Sequence, residues 1–124
     1  MKEITAKEAR EIKIPDDIKE QHRMSIDDIE KEIFDIEDVK NWPLWPILPL
    51  KNVMWRHVDS RLPWSATMIA MGDNDGNIEK RVYLVGPFDL KEHGLTTTGD
   101  IRDNVDFLEY ATWKDMIEAG WRVD

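Results

Sequence analysis

The sequence predicts a small α+β domain, in which a twisted antiparallel sheet of three to five strands is covered by two helices. Its 124 residues are enough for one hydrophobic core, and 41% of them are hydrophobic. Isoleucines recur at helical spacing before Asn41, whereas strand-like stretches separated by turn residues follow it. Because there is no cysteine, the fold is expected to close without disulfide bonds.

Residues 1–40 are predicted to form an acidic helical arm that packs on the main domain, residues 41–124. The arm carries eight Lys or Arg and thirteen Asp or Glu, a net charge of −5. Thr5 and Glu8 form a capping-box pattern, which predicts a helix from Ala6 to about Lys13 that ends before Pro15.

The second predicted helix of the arm runs from about Ile26 to Asp38. Ser25 and Asp28 repeat the capping pattern, and isoleucines at helical spacing predict one buried stripe, formed by Ile26, Ile29, Ile33 and Ile36. The opposite side carries Lys31 and four carboxylates, named here the acidic face: Asp27, Asp28, Asp35 and Asp38. Such a face is ordinarily a solvated surface. The functional hypothesis is that it imitates a row of phosphates and binds a basic protein.

The main domain begins with an apolar segment from Trp42 to Leu50, in which proline recurs every third residue. This period is typical of a polyproline II helix. Because all three faces of such a helix would be apolar, the segment is predicted to pack along one edge of the sheet. The alternative is that it is a ligand for an aromatic-lined groove of another protein.

Three strands are predicted after the proline segment: Asn52 to Val58, Ser65 to Met71 and Ile78 to Val85. The turn-forming residues Gly72 to Asn77 join the last two strands, which predicts an antiparallel hairpin.

The last third of the chain is predicted to be mostly irregular. Residues 86–106 contain glycine and proline as breakers, so no element is expected there. Thr112 and Asp115 then predict a short helix from Trp113 to Ala119, which Gly120 ends. An edge strand from Trp121 to Val123 is expected to follow.

The sequence lacks the familiar motifs of catalysis and of cofactor binding. His22, His57 and His93 are too far apart for an H-E-x-x-H zinc motif, and no nucleophile elbow or phosphate loop occurs. We therefore expect that the chain is not an enzyme and that it needs no cofactor. A small hydrolase that uses Asp or Glu with His57 or His93 remains the alternative from a different class.

The predicted hairpin turn has a partial likeness to a calcium loop. Asp73, Asp75 and Asn77 alternate as the first three ligands would. Ile78 and Leu84, however, replace the glycine and the glutamate that the loop requires. A turn without metal is therefore expected.

Aromatic and basic side chains lie close together in the sequence at Trp55, Arg56, His57, Arg61 and Trp64. This combination can stack on a base and grip a phosphate, so it is the candidate site for a small nucleotide signal. The alternative interpretation, which the sequence favours, is an aromatic core whose arginines reach the acidic helix.

The charge and hydropathy of the chain indicate its partners and its location. A net charge of −9 argues against direct contact with nucleic acid and against attraction to anionic membranes. The expected partner is a basic protein or a small nucleotide, and homo-oligomerisation stays open. Neither a signal-peptide core nor a membrane-spanning window is found, so a cytoplasmic location is expected.

Three segments, Trp45 to Lys51, Val82 to Val85 and Ala119 to Asp124, resemble parts of small accessory proteins of tailed bacteriophages. The resemblance implies a phage product that acts in the host cytosol, where small acidic proteins are commonly inhibitors of host defence. The expected function is a non-enzymatic inhibitor, anti-CRISPR-like, that blocks a basic host protein or sequesters a nucleotide signal. The alternative is an immunity or antitoxin protein that neutralises a basic toxin nuclease.

Overall fold

The computed structural model describes residues 5–59, 62, 64–70 and 78–124, and of Arg56 it describes the backbone alone. Within them the chain forms five α-helices: α1 Ala6–Glu11, α2 Asp16–Gln21, α3 Ile26–Glu37, α4 Thr98–Asn104 and α5 Trp113–Glu118. The same residues form five strands: β1 Ile47–Asn52, β2 Ser65–Ile69, β3 Arg81–Tyr83, β4 Phe107–Glu109 and β5 Trp121–Val123. The predicted α+β class is therefore confirmed.

The strands form one sheet in the order β4-β3-β2-β1-β5, and every neighbouring pair is antiparallel. Thr67 of β2 lies opposite Tyr83 of β3, so the predicted pairing of these two strands is confirmed. The predicted turn, Gly72 to Asn77, lies outside the described residues, as do Asp73 and Asp75 of the calcium-like pattern. β5 is at one edge of the sheet, as predicted.

The prediction that the proline segment lines the edge of the sheet is wrong. Its second half is β1, which lies between β2 and β5. Proline has no backbone N–H to donate to a neighbouring strand. Pro49 is tolerated in this inner strand because the missing donor would face the end of β5. On that side the Pro49 carbonyl still accepts a bond from the Asp124 amide, at 3.0 Å.

A strand from Asn52 to Val58 was the other wrong prediction in this region. The strand ends at Asn52, and Trp55–His57 is a short 3-10 helix. The Asn52 side chain turns the chain, because its Oδ1 accepts from the amides of Met54 at 3.0 Å and Trp55 at 2.9 Å. The local side-chain bonds outweigh the strand preference of the valines and the tryptophan.

Side-chain caps begin three of the helices where the sequence predicts them. The hydroxyls of Thr5, Ser25 and Thr112 each accept from the backbone amide three residues later, at 3.0–3.2 Å. The buried isoleucine stripe of α3 is only partly confirmed. Ile36 is buried, but Ile26, in the first turn of the helix, is 75% exposed.

Three elements were not predicted: α2, α4 and β4. The expectation that residues 86–106 are irregular is wrong for α4, which has a full capping box. The Thr97 hydroxyl accepts from the Asp100 amide at 3.1 Å, and the Asp100 carboxylate accepts from the Thr97 amide at 3.1 Å. This helix covers one face of the sheet, where Ile101 packs with Tyr83 and Val85.

The main core lies on the other face of the sheet and includes side chains of the first 40 residues. Ala6, Ala9 and Ile36 belong to the same buried cluster as Leu50 and Trp121. Alternate residues of β2 divide between the two clusters, as the period of a strand requires.

The first 40 residues also bond to both outer strands of the sheet. At β4, the Phe107 carbonyl accepts from Arg10 Nη2 at 3.2 Å. At β5, the amide of Val123 donates to Glu32 Oε2 at 3.1 Å. Both contacts satisfy backbone groups that an uncovered edge strand would leave unpaired.

Candidate functional site

The acidic face keeps three of its predicted residues on one side of α3, and the fourth, Asp38, is the residue that caps the C-terminus of the helix. Asp27, Asp28 and Asp35 are exposed, and Asp38 is partly buried, where its Oδ2 accepts from Asn41 Nδ2 at 2.8 Å. Among the described residues, none of the four carboxylates has a Lys, Arg or His nitrogen within 4.0 Å. Their negative charge is therefore not neutralised by a close ion pair.

An exposed aromatic ring, Phe34, lies at one edge of this acidic face. The side chain is 66% exposed. It is one helical turn from Asp38 and two turns from Asp27, and Glu30 and Glu37 flank it on the other side. A large apolar side chain is thus surrounded by carboxylates on the solvent side of the helix.

Sequence reasoning missed Phe34, although a signal was present. The isoleucines of α3 recur at 26, 29, 33 and 36, and residue 34 falls outside that stripe, at the border of the polar side. An aromatic residue on the polar side of an otherwise amphipathic helix is not needed for the core, so it could have been recognised as a candidate contact.

The predicted nucleotide site is divided between core and surface. Trp55 is only 4% exposed, and its ring packs on Trp121 with a centroid distance of 5.0 Å and an interplanar angle of 68°. A ring packed in this way cannot stack on a bound base. Trp64 and His57 are exposed, while Arg61 and the side chain of Arg56 lie outside the described part of the chain.

The histidines do not form a metal centre in the described residues. His57 stacks on His22 with a centroid distance of 5.7 Å and an interplanar angle of 19°. No group of three His, Cys, Asp or Glu side chains that could hold a metal ion occurs there. His93 lies in the loop between β3 and α4 and is exposed.

A cleft of about 480 Å³ opens beside α2, α5 and the start of α3. Its apolar lining consists of Met24, Ile29, Met54 and Ile117. Its charged and polar lining consists of Asp16, Lys19, Glu20, His22, Arg23, Glu118 and Arg122. His57 and His93, which the hydrolase alternative requires, do not line it.

Arg122 of β5 is the most constrained charged group of the cleft. Its Nη1 donates to the carbonyls of Ile117 at 2.6 Å and Trp121 at 2.8 Å, and its Nη2 donates to the carbonyl of His22 at 3.2 Å. Partial burial lowers the pKa of Arg122, and the negative charge of Glu32 opposes this shift. The guanidinium is therefore fixed in direction by three carbonyl oxygens.

No helix in the described ranges combines the length and the apolar composition needed to cross a bilayer. Comparison with protein-family models, with curated proteins and with solved structures found no match.

Proposed function

We propose that this chain is a non-enzymatic binding protein that docks the acidic face of α3, together with Phe34 at its edge, onto a basic protein surface. The observation that carries the proposal is the exposure of Phe34 among carboxylates that have no close ion pair in the described structure.

The two parts of this surface have separate roles in binding. The carboxylates attract a positively charged partner and orient it during encounter. Phe34 supplies the apolar anchor, because burying an aromatic ring in a pocket of the partner contributes much of the energy at a typical interface. A partner with an apolar pocket rimmed by Lys or Arg fits both requirements.

The proposed partner is a basic host protein whose own ligand is nucleic acid. Negative charges at helical spacing resemble a row of phosphates, so the acidic face can compete for a nucleic-acid groove. The resemblance to phage accessory proteins supports a role as an inhibitor of host defence in the host cytosol. The burial of Trp55 makes this blocking role better supported than sequestration of a nucleotide.

Co-purification from host cells tests the proposal. The tagged wild-type chain is expected to retain a basic protein that Phe34→Ala and Asp35→Lys lose. The matched controls are Phe88→Ala and Asp103→Lys, which make the same changes at exposed positions in the β3–α4 loop and in α4. With the identified partner, Phe34→Ala is expected to raise Kd at least about tenfold in calorimetry.

Two results would decide against this function. Retention of the same partner by all four variants would mean that the acidic face is only a solvated surface. A partner that is a toxin nuclease would instead favour the immunity-protein alternative, which uses the same face.

A further inference from the structure

The cleft beside α2 has an apolar wall that is large enough for a small molecule. Among its lining residues, Met54 and Ile117 are buried, and Met24 and Ile29 are partly buried. The volume of about 480 Å³ lies within the range of roughly 300–1,000 Å³ that is typical of ligand pockets. The two methionines are flexible and polarisable, so they can adapt to different apolar shapes.

Two cationic side chains of the cleft lack a close ion pair among the described residues. Glu20 pairs with Arg23 at 3.4 Å, and Glu118 pairs with Lys114 at 3.8 Å. In the part of the chain that the structure describes, Lys19 and Arg122 have no carboxylate oxygen within 4.0 Å. Asp16 is the remaining acidic group of the lining. Lys19 and Arg122 are thus the cations of the lining without a close ion pair, and Glu32 acts on Arg122 only at longer range.

Arg122 also retains donors for a ligand. A guanidinium has five N–H donors, and the described carbonyl partners accept three bonds, two from Nη1 and one from Nη2. The Nε–H and one Nη2–H remain. A carboxylate can accept two such bonds from one arginine, and it would add a directly bonded counterion to the more distant charge of Glu32.

We infer that this cleft binds a small organic carboxylate with an apolar body, whose head group pairs with Arg122 and whose body contacts Met24, Ile29 and Met54. Lys19 adds positive charge at the rim. This site is separate from the acidic face of α3, so it does not depend on the proposed function.

Titration of the full chain with octanoate tests the inference. Binding is measured by calorimetry and by the amide chemical shifts in NMR spectra. Saturable binding is expected, with shifts at the cleft residues. Octanol, which lacks the charge, and acetate, which lacks the apolar body, are expected to bind at least about tenfold more weakly. Equal binding of octanol and octanoate, or no saturable binding of octanoate, would overturn the inference.

Variants of the cleft provide the second arm. Arg122→Gln is expected to weaken octanoate binding at least about tenfold, whereas Arg102→Gln on α4 leaves it unchanged. Because Arg122 also bonds to the backbone, Ile29→Glu is tested alongside it. This change introduces a carboxylate into the wall at a partly exposed position and should weaken binding similarly without removing those bonds. Unchanged affinity in Ile29→Glu would place octanoate elsewhere and refute the site.

Discussion

At the scale of single residues, Asn52 and Gly120 form the most demanding contact of the fold. Asn52 is 1% exposed, and its side chain bonds to the amides of Met54 and Trp55 and to the carbonyl of Ala119. Gly120 has a φ of +104°, and a Cβ there would lie 2.5 Å from Asn52 Oδ1. The glycine therefore permits both the turn into β5 and the buried amide beside it.

Gly120→Ala is expected to destabilise the protein by roughly 3 kcal/mol or more, because backbone strain adds to displacement of the Asn52 amide. Gly94→Ala is the matched control. Gly94 also has a positive φ, +70°, but a Cβ there would meet no atom within 4 Å. Gly94→Ala should lower the free energy of unfolding by about 1 kcal/mol. Urea unfolding of both variants measures the difference, and equal losses would show that the contact with Asn52 is unimportant.

At the scale of elements, the sequence predicted the helices whose capping residues are close together in the chain. The caps at Thr5, Ser25 and Thr112 were recognised because hydroxyl and amide are three residues apart in the chain. The bond between Thr97 and Asp100 in α4 has the same spacing, but Gly99 and the polar composition around it obscured the helix.

The missed features depend on contacts that are distant in sequence. β1 was mistaken for a polyproline helix because the tolerance of Pro49 depends on where β5 ends. Trp55 was correctly favoured as a core residue, but its packing on Trp121 joins positions far apart in the chain. The cleft could not be predicted, since α2 and β5 meet only in the folded molecule.

The cap of α4 predicts how the stability of the protein depends on pH. The amide of Thr96, then its hydroxyl, and then the amide of Thr97 donate to Asp100 at 2.9–3.1 Å, and they lower the pKa of Asp100 below its ordinary value of 3.8. A lowered pKa in the folded state gives stability that is present above pH 3.8 and is lost as the pH falls through the folded pKa.

Asp100→Asn should therefore lower Tm at neutral pH, and the difference from the wild type should shrink as the pH falls below 3.8. Asp103→Asn on the same helix is the control, since no hydrogen bond of its carboxylate occurs among the described contacts. Thermal unfolding followed by circular dichroism between neutral and acidic pH measures both. A difference that stays constant with pH would contradict the role of the Asp100 carboxylate as a cap.

At the scale of the whole molecule, the first 40 residues combine a structural surface and the proposed recognition surface on one helix. The inner side of α3 contributes Ile36 to the core and Glu32 to the edge of β5. The outer side presents Phe34 and the acidic face to solvent. Because the helix is anchored by the sheet, its outer face is held rigid before any partner binds, which reduces the entropic cost of binding.

This anchoring predicts that the arm and the sheet unfold together. Ala6, Ala9 and Ile36 share one buried cluster with Leu50 and Trp121, so loss of the helices would open the environment of the tryptophans. Urea unfolding followed by far-ultraviolet circular dichroism, which is dominated by the helices, and by tryptophan fluorescence should give coincident midpoints. A loss of helical signal at clearly lower urea, with fluorescence unchanged, would instead mean that the arm folds on the sheet without stabilising it.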